Sequence, residues 1–214
     1  MRHWYAGCRE VDYAPFEMIP SQMDEEDCAN LVYYLASLNT GDTSPYDIVT
    51  WNGLGYDFDV LAEESPENMR GLIKQLAVGH IDMGWQMFCE RGFMCGLDAA
   101  AKGLGLGGKT KGMSGALAPK MWAESRASQD KVLEYVAQDV RTTAAVYEKL
   151  VEMGEVAWIT GRGTPSRNPW APAFPGGKTM SVEQAALLPV PNVKWMKDPW
   201  PRSKFNGWLS EEAK

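Results

Sequence analysis

The 214 residues are 45% hydrophobic and 23% charged, enough apolar side chain for one good core and too little charge for a chain that stays disordered. A formal net charge of −7 excludes a nonspecific basic coat for nucleic acid, though not an acidic site fed by a local basic strip. No window nears the ~18 apolar residues of a membrane span, and the opening Met1-Arg2-His3-Trp4-Tyr5-Ala6-Gly7-Cys8 is not read as a secretory leader.

Residues 1–20 read as one or two extended pieces carrying Trp4, Tyr5, Val11, Tyr13 and Phe16. Asp24-Glu25-Glu26-Asp27 starts a helix, because carboxylates suit the positive end of its dipole, and Leu31, Val32, Leu35 and Leu38 form its apolar stripe. A turn-rich connection over 39–45 leads to Ile48-Val49-Thr50-Trp51, a β-branched and aromatic run expected to be a buried strand. The loop Asn52-Gly53-Leu54-Gly55 follows, then a short helix from Asp57 to Glu64, stopped by Ser65-Pro66.

Helical spacing resumes from Glu67 through Leu72, Ile73 and Leu76, is interrupted at His80-Ile81-Asp82, and continues to Cys89. A small helix over 97–104 runs into the glycine-rich Gly103-Leu104-Gly105-Leu106-Gly107-Gly108. Without a Gly-Lys-Ser/Thr ending, and following a helix, that segment is expected to be a helix stop rather than a phosphate loop. The last long helix spans 128–153, with Val132, Val136, Val140, Tyr147 and Leu150 on its buried side. Beyond Gly154 the composition turns to Trp and Pro. Val156–Thr160 is a candidate strand and Ser181–Leu188 a short helix capped by Ser181. The expected organisation is a domain over 1–154 and a Trp/Pro-rich extension over 155–214 packed on it, with a partner-binding tail as the alternative.

Cys8, Cys28, Cys89 and Cys95 form no Cys-x-x-Cys pair and have only two histidines for company, so free thiols in a reducing cytoplasm are expected rather than disulfides or zinc. Lys102, Lys109, Lys111, Lys120, Arg126 and Lys131, set against only Glu124 and Asp130, form the basic strip that could meet a nucleic-acid backbone; an ordinary solvated surface is the plainer reading.

Asp57 alone would be taken for a helix cap. Placed just past a buried strand, it sits where α/β folds bind ligands, and Gly53 and Gly55 allow close backbone approach. Tyr135 and Asp139 lie four apart on a helix, so both project from one face, about 6 Å apart along the axis. A Tyr-x-x-x-Asp pair by itself is weak; order and context give it weight.

Asn52-x-x-x-Tyr56-Asp57 followed by Tyr135-x-x-x-Asp139 resembles the DEDDy branch of the RNase H-like 3′→5′ exonucleases. His80-Ile81-Asp82-Met83, Gly96-Leu97-Asp98-Ala99-Ala100-Ala101-Lys102-Gly103-Leu104-Gly105-Leu106 and Lys109 lie between them. The stretch over about residues 45–150 resembles the exonucleases related to the proofreading domain of family B DNA polymerases. The resemblance implies an α/β fold with a mixed sheet flanked by helices, and two Mg²⁺ or Mn²⁺ ions held by carboxylates. It implies Asp57 and Asp139 as metal ligands, and Tyr135 to orient or help deprotonate the attacking water. Asn52, Lys109 and Lys111 would contact substrate, a single-stranded DNA (or RNA) 3′ end. A structural role is expected for His80 and Asp82.

The family's first motif, Asp-x-Glu, has no counterpart before Asp57. Glu10 and Asp12 offer an inverted Glu-x-Asp as candidate metal ligands. Otherwise Met1 is an internal methionine of a longer protein, which is the preferred expectation. With fewer than four carboxylates, hydrolysis is expected to be weak or absent. The rival readings are a catalytically incomplete module that binds nucleic acid or a partner protein, and an interaction module in which the Trp-rich tail meets a replication or repair partner.

Overall fold

The computed structural model describes residues 23–38, 46–107, 115–170 and 179–210. The expected strands within 1–20, the turn over 39–45, and Glu10, Asp12, Lys109 and Lys111 lie outside them. The described chain is α/β and falls into two compact units, one comprising Gly96–Asn168 and the other Met23–Cys95 with residues from Pro169 onward.

In the second of these units, α1 (Glu25–Leu38) opens with Glu25, Glu26 and Asp27 in its first turn and buries Cys28 and Val32. Strand β1 (Val49–Thr50) leads through the motif loop to α2 (Asp57–Glu64) and, after a 3-10 turn, to α3 (Arg70–Gly79). The expected interruption at His80-Ile81-Asp82 is in fact a strand, β2 (Ile81–Asp82), which pairs in parallel with β1 in the register Val49↔Ile81 and Thr50↔Asp82. A β–helix–β crossover is therefore present, and the motif loop and Asp82 both stand at the carboxyl ends of its strands. Next, α4 (Met83–Arg91) is buried over seven consecutive residues from Met83 to Cys89 and ends on Gly92 in the left-handed conformation, φ 79°.

In the other unit, α5 (Leu97–Gly103) lies against β3 (Glu155–Ile159), and α7 (Arg126–Met153) packs on α5, on β3 and on α6 (Ala118–Glu124). The glycine-rich stretch does end α5, with Leu104 as its C-cap and Gly105 at φ 76°. The buried stripe of α7 is Val132, Tyr135, Ala144, Val146 and Leu150; Val136, Val140 and Tyr147 are only half-buried. A turn over 160–164 joins β3 to β4 (Pro165–Pro169), a strand with no apolar residue that the sequence did not suggest.

Gly103 allows the closest of these contacts. A Cβ on it would run into the backbone of Ala157 and Trp158, which cannot swing aside. Gly103→Ala is expected to lower stability by about 1–3 kcal/mol, the usual cost of overpacking, measured as a shifted denaturant midpoint with unchanged slope.

Residues 179–210 are woven into the second unit. Helix α8 (Val182–Ala186) has the expected Ser181 cap, completed as a capping box by Gln184. The Met180 amide donates to Gln86 Oε1 at 3.0 Å, and the Trp85 indole donates to the Val182 carbonyl at 3.1 Å. The Arg202 guanidinium donates to the carbonyls of Ala186 and Leu188 at the end of α8, at 2.7 and 2.8 Å. Phe205, in α9 (Ser203–Asn206), stacks near Trp85, Phe88 and Trp200. Cys28, Cys89 and Cys95 are free thiols. No helix among the described residues is long and apolar enough to cross a membrane.

Candidate active-site residues

Asn52 adopts a left-handed backbone, φ 69°, which Asn tolerates better than most residues. The chain then turns within its own width. The Gly53 carbonyl accepts the Phe58 amide at 2.9 Å, and a Cβ on Gly53 would collide with the Thr50 side chain. Leu54 is fully buried. A Cβ on Gly55 would lie 2.8 Å from Phe205 Cδ1 and 3.0 Å from Asn52 Oδ1. Gly53 is thus required by packing against Thr50, and Gly55 by packing against Phe205 and Asn52.

Asp82 holds this loop in place. Its carboxylate, 1% exposed, accepts the Asn52 amide at 2.8 Å and the Leu54 amide at 2.9 Å, one on each oxygen. It also caps α4 by accepting the Trp85 amide at 3.0 Å. Gly84 lets α4 come this close, since a Cβ there would lie 3.0 Å from the Asn52 nitrogen. His80 supports the same arrangement. The Ala77 carbonyl, 2.7 Å from Nδ1, can only accept, so Nδ1 carries the proton and Nε2 accepts from the Thr50 hydroxyl at 3.0 Å. Thr50 Oγ1 in turn accepts the Gly53 amide at 3.2 Å. Burial lowers the His80 pKa and keeps the ring neutral. The structural role expected for both residues is what their bonds describe.

Asp57 is the first residue of α2, and the cap position is Tyr56, so the plain N-cap reading does not describe it. By surface area Asp57 is exposed to solvent. Protein nonetheless crowds it enough that desolvation, and then the Asp82 charge, raise its pKa from 3.8 to about 6, against a lowering pull from its own backbone amide. Among the described residues no cation pairs with it.

Tyr135 and Asp139 meet on one face of α7 as the spacing requires. The buried Tyr135 hydroxyl donates to the Asp139 carboxylate, and desolvation followed by that hydrogen bond and charge raises the tyrosine pKa to about 12. The Gly115 amide, donating to the same phenolic oxygen, pulls weakly the other way. Tyr135 therefore stays protonated at neutral pH and acts as a donor. One turn further, Gln138, Arg141, Thr142 and Ala145 line, with Leu106 and Gly107, an open cavity of about 310 Å³. The Arg141 charge there is already met by Glu134 at 2.9 Å. In the basic strip, Lys102 and Arg126 pair with Asp98 and Asp130 at 2.7 and 3.2 Å, while Lys120 and Lys131 are exposed.

The structure thus brings Tyr135 to Asp139 in one unit and Asp57 towards Asp82 in the other. The available donors are hard oxygens, which suit Mg²⁺ or Mn²⁺. Asp57 is the carboxylate with most to gain from a cation. Asp82 is a poor candidate, because three backbone amides already occupy it. Among the described residues no group of three or more His, Cys, Asp or Glu side chains is arranged to hold a metal ion. The structural role of Asp82 was expected, but its particular bonds were not, nor was the indole of Trp208 on the Leu54 carbonyl at 2.8 Å. Asp82 before a helix carries a local cap signal, whereas its grip on Asn52 and Leu54 and the contribution of Trp208 carry none.

A family model described as the RNase H superfamily matches residues 3–151. No curated protein and no solved structure matches the chain.

Proposed function

The chain belongs to the RNase H superfamily, and from that premise we propose that it is a metal-dependent 3′→5′ exonuclease acting on single-stranded 3′ ends, slowed by the missing Asp-x-Glu. Superfamily membership supports nuclease-type chemistry on nucleic acid. The finer reading rests on the two motifs in their order along the chain, and the observation that carries it is Asp57. A rigid loop at the end of a parallel strand presents a carboxyl whose pKa has risen to about 6 with no described cation beside it. A carboxylate so placed, exposed and with no described cation beside it, suits the binding of a cation.

In this reading Asp57 and Asp139 would each serve as a metal ligand, as the resemblance implies, with Glu10 and Asp12 as further candidate ligands. Mg²⁺ or Mn²⁺ held by these carboxylates would supply Lewis acidity for activating water and for stabilising the charge that develops at the phosphorus. Tyr135 fixes the orientation of the Asp139 carboxylate by donating to it and, staying protonated, is no base at neutral pH. Asn52, Lys109 and Lys111 contact the substrate strand.

The test is incubation of a 5′-labelled single strand with Mn²⁺ and high enzyme. A ladder shortened from the 3′ end is expected, lost in Asp139→Ala. Tyr135→Phe should slow it by about 10–100-fold, the usual cost of losing a partner that orients a ligand. No ladder at high enzyme and metal overturns the activity. A second reading, a binding module without catalysis, is favoured by the absence of Asp-x-Glu before Asp57. It predicts strand binding that weakens with salt and ignores Asp139→Ala.

A further inference from the structure

Leu54 is held at both of its backbone polar groups. Its amide donates to Asp82 at 2.9 Å from inside the crossover, and its carbonyl accepts from the Trp208 indole at 2.8 Å. The donor is 154 residues away in sequence. Trp208 is 7% exposed and Leu54 fully buried, so no solvent competes for the carbonyl. Phe205, three residues before Trp208, fills the space beside Gly55 and touches the same aromatic group as Trp85 and Phe88. Arg202 anchors this segment to the end of α8.

A loop with two glycines in four residues has high conformational entropy, and a carboxylate two residues beyond it inherits that freedom. Asp82 restrains only the amide side, at Asn52 and Leu54. The Leu54 carbonyl belongs to the next peptide, Leu54–Gly55, which Asp82 does not reach and which needs a partner of its own. The C-terminal segment supplies that partner.

We propose that Trp208 is a positioning residue for Asp57, the outer jaw of a clamp whose inner jaw is Asp82. The C-terminal extension is thereby a working part of the candidate site rather than a separate binding tail. The inference rests on Asp57 being the metal-binding carboxylate.

Trp208→Phe removes the indole donor and keeps a ring; Trp195→Phe, at a 68% exposed tail tryptophan, is the control. Two readouts are taken without substrate: the affinity for Mn²⁺ alone, by electron paramagnetic resonance of the free ion, and amide exchange at Asn52 and Leu54 in metal-free protein. Trp208→Phe is expected to weaken Mn²⁺ binding about fivefold, the equivalent of one neutral hydrogen bond. It should also speed exchange at both amides and lower the melting temperature by only the few degrees that one abandoned buried acceptor costs; Trp195→Phe should change none of these. Unaltered Mn²⁺ affinity and exchange in Trp208→Phe overturn the clamp. If the wild type binds Mn²⁺ yet cleaves nothing, the exonuclease reading falls and the clamp stands. If it binds no Mn²⁺, the metal role of Asp57 falls and exchange alone decides the clamp. Should Trp208→Phe fail to fold, exchange in the wild type decides: the Leu54 amide and Trp208 indole must open together, and separate opening overturns the proposal.

Discussion

Asp57→Asn is expected to abolish cleavage and yet leave the protein at least as stable as the wild type at pH 7. Burial and the nearby Asp82 charge raise the carboxyl from 3.8 to about 6, so the native state disfavours its ionised form. Between those two values the folded chain binds more protons than the unfolded chain. Stability therefore falls as pH rises through that window, and the penalty persists above it. Asparagine carries no such penalty. Its advantage should be fully present above pH 6 and should fade as pH drops towards 4, where the wild-type carboxyl is protonated in both states. Because the side chain keeps contact with solvent, screening reduces the size of the effect, and its sign is the test. Mn²⁺ should act as the proton does, raising the melting temperature of the wild type but not of Asp57→Asn. A variant less stable than wild type at pH 7 would mean that Asp57 is a structural carboxylate.

The split between what the sequence disclosed and what it withheld follows the range of the forces involved. Helix α2 begins and ends where Asp57 and Ser65-Pro66 indicated, and the Ser181 cap was equally plain, because caps and breakers act within a turn. Tyr135 and Asp139 were legible as a pair for the same reason: four residues on a helix fix their separation. Strand β2 escaped because two residues have no periodicity; Ile81-Asp82 is a strand only by virtue of β1, some thirty residues earlier. Strand β4 is harder still, since Pro165-Ser166-Arg167-Asn168-Pro169 argues against a strand until β3 lies beside it. In the candidate site the motif residues could be named, and His80 and Asp82 were expected to be structural, but the bonds that make them so could not be read. Neither the bond from Asp82 to Leu54 nor that from Trp208 to the same residue has a local signature.

That division makes Asp82 the position where a single change should cost most. Asp82→Ala leaves the amides of Asn52, Leu54 and Trp85 without their acceptor, all within a region where Leu54 and Trp85 are buried. An abandoned buried donor costs about 1–3 kcal/mol, and loss of a helix cap about 1 kcal/mol. A total of about 4 kcal/mol is expected, or roughly 10 °C in melting temperature for a chain of this size. Asp82→Asn is the informative companion. Its single carbonyl oxygen can keep the Asn52 and Trp85 amides, both of which use Oδ1, but its NH₂ group must then face the Leu54 amide, donor against donor. It should therefore lose less than alanine and lose it in the loop, with exchange quickened at Leu54 and spared at Trp85. Since the Leu54 carbonyl remains bound to Trp208, the Asp82→Asn and Trp208→Phe losses should exceed their sum when combined: the first cut leaves Leu54 with one backbone tether, and the second removes it. Strict additivity would mean that water replaces each jaw independently, and the loop would then owe its shape to glycine packing alone.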